Sequence, residues 1–334
     1  MIREKTLMME EKRIFYGLDV VKLFCAFLIV FLHTYNRDLG SIGNWFWNVI
    51  TSIGVPFFFI VSGFFYAKGL NRTSFSKDYF LKYFKRLLIM YVAWTIITLP
   101  VSWLCVERGH PDYSLPLKLA YLFRMIFFSG SCGIYWYVLA LICCSVVIYY
   151  FVKRGRVMTL YLIAVLLFGV GVWYNSPYNN NNIVFQFIHA VFGSERNFFN
   201  VGLFYMCVGH CVASYEQKLK IKDVYIYALL VICILLRTWE VDVLHTNLLQ
   251  ALIAIILFLL AWNLKVNISD ERSLMIRKLS TAMYLLHYPF ILLFDFYLKR
   301  GTVIDYPVAL CFCFIVFYVM MKYLPVKWQK VLLG

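Results

Sequence analysis

The apolar residues of this chain gather in long blocks separated by short polar stretches. Each block is about 17–25 residues long, enough to cross a bilayer as a helix. Ten can be drawn, over residues 18–36, 44–67, 86–106, 134–152, 157–174, 198–215, 222–238, 245–264, 277–298 and 303–324. The two longest connections outside the predicted membrane are 107–133 and 175–197. The first holds Pro111, Pro116 and an aromatic stretch from Tyr121 to Phe128, which suits a helix lying in the interface. The second carries Ser176-Pro177 and Asn179 to Asn182, a polar loop signal. The pattern predicts an all-α, polytopic integral membrane protein with about ten transmembrane helices.

Composition removes the alternatives. Of 334 residues, 63% are apolar or aromatic and 15% are charged, against roughly 45–50% and about 25% in soluble domains. There is too little polar surface to cover a soluble body of this size. A soluble enzyme, a secreted disulfide domain and a disordered tail are excluded. The charge balance is 32 Lys and Arg against 17 Asp and Glu. In a soluble protein this would suggest nucleic acid; in a membrane protein it marks the cytoplasmic loops, and no nucleic-acid partner is expected.

Sidedness follows from the same residues. With the N-terminus inside, 24 of the 32 basic residues fall in inside segments and 8 in outside ones. This bias predicts both termini in the cytoplasm, because an odd number of spans would scramble it. Residues 1–334 are read as one membrane domain without a separate soluble domain. The first 16 residues are charged and the first block is a full span, so no cleavable signal peptide is expected. The ten cysteines lie mostly inside apolar blocks without CxxC or Cys/His spacing, which predicts small core residues and no metal site.

Candidate chemistry concentrates in the first block, where Asp19, Lys22 and His33 are the ionisable groups. Ionisable groups in hydrocarbon are costly and point to function. Lys22 and His33 are eleven residues apart, about three turns, so they share a helix face about 16 Å apart along the axis. Asp19 lies one turn below Lys22, on nearly the same face, in a position to pair with it. A cation at the inner lip suits a phosphate-bearing donor arriving from the cytoplasm. A neutral imidazole nearer the outer half suits a general base. Taken singly, Lys22 reads as a snorkelling anchor, whereas His33 reads as functional ahead of an interfacial cap; the shared face moves both further toward function.

The arrangement Asp19-x-x-Lys22-x10-His33 resembles the first-helix signature of acyltransferase family 3, the membrane O-acyltransferases, whose members usually carry Arg where this chain has Lys22. Further strings follow in the same order. Gly54-Val-Pro-Phe-Phe-Phe-Ile-Val-Ser62-Gly63-Phe is similar to the family's second-span motif, and Tyr83-Phe-Lys-Arg86-Leu-Leu to the basic start of the third span. Ile134-Tyr-Trp136-Tyr137 resembles the opening of the fourth span, and Ser280-Thr-Ala-Met-Tyr284-Leu-Leu-His287-Tyr-Pro289 a motif near the end.

The resemblance implies transfer of an acyl group, often acetyl, from cytoplasmic acyl-CoA to a hydroxyl of a cell-surface or lipid-linked glycan. It implies no permanently bound cofactor and a multi-pass location in a bacterial plasma membrane. On this reading His33 is the catalytic base or a transient acyl carrier. Lys22, Lys82, Lys85 and Arg86 face the donor phosphates, and Asp19 positions Lys22. Lysine keeps the charge of the usual arginine but not its bidentate geometry.

Ser62, Trp136, Tyr137, Tyr284 and His287 are supporting candidates. Each has a plainer alternative: helix packing for Ser62, an aromatic belt for Trp136 and Tyr137, a satisfied core histidine for His287. Arg237, Glu240 and Asp242 read first as a solvated cluster at an outer helix end, with a place at the acceptor entrance as the alternative. The resemblance extends to the membrane halves of serine racemases of vancomycin resistance. This keeps a second function in view, a transporter or permease for a small molecule such as an amino acid.

Overall fold

A computed structural model describes residues 15–34, 40–174, 183, 186–187, 198–218, 223–239, 243–297 and 304–334. Among the described residues every regular element is a helix. Helix α1 is Tyr16–Thr34 and a short α2 is Gly40–Trp45; a π-helical turn, Phe46–Ile50, and a 3-10 turn, Thr51–Ile53, lead into α3, Gly54–Arg72. Next come α4, Lys77–Gly109, and α5, Leu115–Arg124, the latter extended by a second π-turn, Met125–Ser129. Then follow α6, Trp136–Lys153, and α7, Val157–Tyr174. A third π-turn, Phe198–Gly202, opens into α8, Leu203–Tyr215. The remaining helices are α9, Asp223–Trp239; α10, Val243–Asn263; α11, Asp270–Tyr297; α12, Asp305–Tyr323; and α13, Val326–Leu333.

A helix occupies each of the ten predicted blocks. Among the described residues six helical runs are long and apolar enough to cross a membrane: α1, Gly40–Arg72, α4, α6, α11 and α12. Val157–Trp173 and Asn247–Asn263 are apolar but shorter. The chain is thus an all-helical, multi-pass membrane protein. Two helices start well before their apolar blocks. The Ser76 hydroxyl accepts the Asp78 N–H at 3.1 Å and caps α4, so the basic stretch 77–86 is helical and prolongs the span. In the same way α11 begins at Asp270, seven residues ahead of its predicted span. The aromatic stretch after Pro116 is also helical, with Leu117, Phe123 and Phe127 exposed.

Helix α1 lies among α3, α10, α11 and α12. Its start meets the start of α11, where the Tyr16 hydroxyl donates to Asp270 Oδ1 at 2.8 Å. The two helices therefore run parallel, and His33 and His287 reach the same end of the bundle. Helices α3 and α8 cross at close range. A Cβ on Gly63 would collide with the backbone of Met206, and one on Gly209 with the carbonyl of Ile60. Small residues on both helices let the backbones touch, the packing mode expected where lipid supplies no hydrophobic drive between helices.

Candidate active site

His33, one residue before the end of α1, is half-buried and lines a cavity of about 390 Å³. The wall draws on separate parts of the chain. Trp47, Asn48 and Ser52 come from the distorted turns before α3, and Asn200 and Val201 from the π-turn before α8. Trp136 comes from α6, Tyr205 from α8, Arg237 from α9, Asn247 and Gln250 from α10, and Tyr288 from α11. Two of the three π-turns therefore supply cavity residues. Such turns shift the register of a helix locally and recur at functional sites. The His33 ring lies 4.7 Å from the Tyr288 ring and 5.3 Å from the His287 ring, between centroids.

His287 is fully buried, and its Nδ1 lies 2.8 Å from the Met283 carbonyl. A carbonyl only accepts, so Nδ1 carries the proton and Nε2 of the neutral ring presents a lone pair. That Nε2 is buried without a hydrogen-bond partner. An acceptor nitrogen is thus held in one tautomer beside His33.

Arg237 is not the solvated group of the first sequence reading; it lines the His33 cavity, as in the alternative. It is only 6% exposed, and its Nη2 donates to the Asn48 carbonyl at 2.8 Å and to Ser52 Oγ at 2.9 Å. Gln250 Nε2 donates to the Ser52 carbonyl at 2.5 Å. The aperiodic carbonyls of the turns before α3 explain the burial, because they supply the acceptors that solvent otherwise would. Glu240 and Asp242 lie outside the described residues. The lining of this cavity includes Arg237 and no carboxylate.

Below His33 a column of buried polar side chains runs toward Lys22. Tyr284 donates its hydroxyl to the Ile134 carbonyl, and its ring lies 6.2 Å from that of His287. Tyr137 packs on Tyr284 at 5.2 Å; its hydroxyl shares a 2.9 Å hydrogen bond with Ser62 Oγ and donates to the Phe58 carbonyl at 3.2 Å. The loop before α6 sets the Ile134 carbonyl in place. It turns through Gly130, at φ +82°, where a Cβ would meet the backbone of Trp136. Lys22 Nζ lies over the Phe58 ring, 5.7 Å from its centroid, a cation–π placement. The structure thus brings Ser62, Tyr137, Tyr284, His287 and His33 into one line, with Trp136 on the cavity wall. Within the motif Ser62-Gly63, the glycine makes the helix crossing and the serine makes the hydrogen bond.

Asp19 departs from expectation. It does not form an ion pair with Lys22. Its Oδ2 accepts Ser273 Oγ at 2.5 Å and lies 3.6 Å from Arg277 Nε, both on α11. The neighbouring helix offers a donor at hydrogen-bond distance, which an ammonium one turn along the same helix does not. Among the described residues no carboxylate lies within ion-pair distance of Lys22. Asp19 is nonetheless the first of the charges that act on Lys22, ahead of Arg277 and Arg86.

Lys82, Lys85 and Arg86 are exposed on one face of α4. With Asp78, Leu81 and Ile89 they line a second cavity of about 600 Å³, whose other wall is Lys327, Lys330 and Val331 of α13. Of the three α4 cations, Arg86 alone is among the charges acting on Lys22. The α13 wall was not foreseen. All ten cysteines are free thiols, six of them buried. Among the described residues no three metal-ligating side chains come together; His210 Nδ1 instead shares a 2.8 Å hydrogen bond with the Tyr161 hydroxyl.

Comparison with known proteins gives three results. A family profile described as an acyltransferase domain matches residues 15–322. Two Enterococcus faecalis proteins named amino-acid racemase align with the chain. One is 25% identical over 230 residues, 66% of this chain and 31% of that protein. The other is 25% identical over 297 residues, 81% and 40% respectively. The chain thus spans less than half the length of the curated relatives it matches. No solved structure matches it.

Proposed function

We propose, on the premise that this chain belongs to acyltransferase family 3, that it is a ten-span O-acyltransferase of a bacterial plasma membrane. It moves an acyl group, acetyl in the simplest case, from cytoplasmic acyl-CoA to a hydroxyl of a cell-surface or lipid-linked glycan. The observation that carries the reading is His33. It borders a polar cavity at one end of the bundle, and on the same helix Lys22 reaches toward the basic end. The charge bias supports a cytoplasmic location for that basic end and for both termini.

The acceptor occupies the His33 cavity. Aromatic faces from Trp47, Trp136, Tyr205 and Tyr288, with amides from Asn48, Asn200, Asn247 and Gln250, make a wall suited to a hydroxyl-rich ring. Arg237 gives it one positive charge, which favours an acceptor with an anionic group near the reacting hydroxyl. The acyl thioester reaches His33 along the Ser62, Tyr137 and Tyr284 column. The acceptor oxygen attacks the thioester carbonyl carbon as His33 takes the hydroxyl proton, the carbon–sulfur bond breaks, and that proton goes to the CoA thiolate. The products are the ester and free CoA. His287, whose ring lies 5.3 Å from that of His33 between centroids, packs beside it and limits its orientation toward the acceptor.

The test uses inverted membrane vesicles from cells producing the protein, given acetyl-CoA labelled in the acetyl group. The expected result is label in envelope glycan or glycolipid with wild type and none with His33→Ala, with both proteins at equal level in the membrane. Equal labelling in the two would remove His33 from the chemistry. The rival reading is passage of a small molecule; an amino acid is the candidate because the two relatives are named amino-acid racemase. Saturable amino-acid uptake by proteoliposomes without any acyl transfer would favour it.

A further inference from the structure

The helix α13 lies beyond residues 15–322, the span of the family match. It is nevertheless fixed to the bundle. Trp94 Nε1 donates to the Leu332 carbonyl at 2.9 Å, a buried bond that joins α4 to α13. Lys278 Nζ of α11 donates to Gln329 Oε1 at 3.0 Å, and Gln329 Nε2 donates to the Leu324 carbonyl at 2.9 Å. Leu332 and Leu333, at its C-terminal end, are buried. These bonds set the rotation of the helix about its own axis and so decide where its charges point.

They point at α4. Lys327 and Lys330 are three residues apart and therefore share a face. That face closes the 600 Å³ cavity opposite Lys82, Lys85 and Arg86. The cleft holds five cations and one carboxylate, Asp78. Like charges gathered within a Debye length, about 8 Å at physiological salt, repel one another. Here buried hydrogen bonds and packed leucines hold them together. An arrangement of this kind is stabilised when a ligand with several negative charges enters it.

We infer that α13 and α4 together form the binding site for the phosphate-bearing end of the acyl-CoA donor, with Lys327 and Lys330 supplying the far wall. The inference rests on the acyl-CoA reading above and assigns two residues that the family match does not cover. Lysines act as point charges on phosphate, and Arg86 alone offers a bidentate fork. The diphosphate and the ribose phosphate of CoA are spread along the molecule, which suits charges on two walls better than a single pocket. The headgroup of an anionic phospholipid carries the same chemistry and is the competing occupant.

The experiment is calorimetric titration of CoA into the full chain in phosphatidylcholine nanodiscs. Wild type is compared with Lys327→Gln/Lys330→Gln and with Lys327→Arg/Lys330→Arg, using pantetheine as the phosphate-free control. Both lysines are exposed, so neither double variant removes packing. The expected result is CoA binding weakened about tenfold in the glutamine variant, from two partly screened charges. The arginine variant retains wild-type affinity, and pantetheine binding is equal in all three. Equal CoA affinity in wild type and the glutamine variant would overturn the role of α13 and leave the donor reading standing. Absence of CoA binding to folded wild type would overturn both. Unchanged CoA affinity with loss of co-purifying phosphatidylglycerol, read by native mass spectrometry, would assign the cleft to lipid instead.

Discussion

The two ends of this bundle are made in different ways. At the His33 end, polar side chains from several helices are turned inward, and the helices are distorted to do it. Asn48 sits in one π-turn and Asn200 in another, and the turns before α3 also give Arg237 its backbone acceptor. At the Lys82 end the helices are regular, and the charges stand exposed on the faces of α4 and α13. The contrast matches two tasks. Chemistry needs a few groups held in fixed positions and screened from water. Capture of a polyanion needs charge density and tolerates mobile side chains.

Substitutions at the two ends should therefore fail differently. The largest effect is expected from His33→Ala. Loss of a general base costs about 10²–10⁴ in rate, so transfer of labelled acetyl falls to background while the purified protein stays monodisperse. Next is Lys22→Ala, which removes a cation from the inner face. It weakens CoA binding about tenfold or more, and Lys22→Arg retains it; equal affinity in all three would make Lys22 a topology anchor. Arg237→Gln comes third. It raises the apparent KM for the envelope acceptor about tenfold and leaves the CoA dissociation constant unchanged, and a change in the donor constant instead would break the separation of the two ends. The smallest effect is from Ser273→Ala, which removes one hydrogen bond from buried Asp19. It lowers stability by about 1–3 kcal/mol, read as a lower Tm, with CoA affinity retained.

The strings that could be read in advance were those in which neighbours in sequence are neighbours in space. Lys22 and His33 share a face of one helix, so the 3.6-residue repeat alone groups them, and Tyr284 and His287 stand in one family-like motif. The helices themselves were legible as apolar blocks. Partners on other helices were not. Asp19 was given to Lys22 because only its own helix was visible, whereas α11 brings Ser273 and Arg277 closer. Arg237 follows an apolar run and precedes two acids, a string that looks the same whether the guanidinium meets water or folds inward. The amides Asn48, Asn200, Asn247 and Gln250 converge from three places and left no local pattern. Helix α13 is too short and too mixed in composition to register as a block, yet its register against α4 decides the shape of the basic cleft.

The central claim is that donor binding and proton transfer belong to opposite ends of the bundle. The measurement that tests it most directly is acetyl-CoA binding by calorimetry to folded wild type, His33→Ala and Lys22→Ala. The account predicts saturable binding to wild type, the same affinity in His33→Ala, and weaker binding in Lys22→Ala. It would be contradicted by no binding to wild type, or by His33→Ala losing affinity as far as Lys22→Ala does.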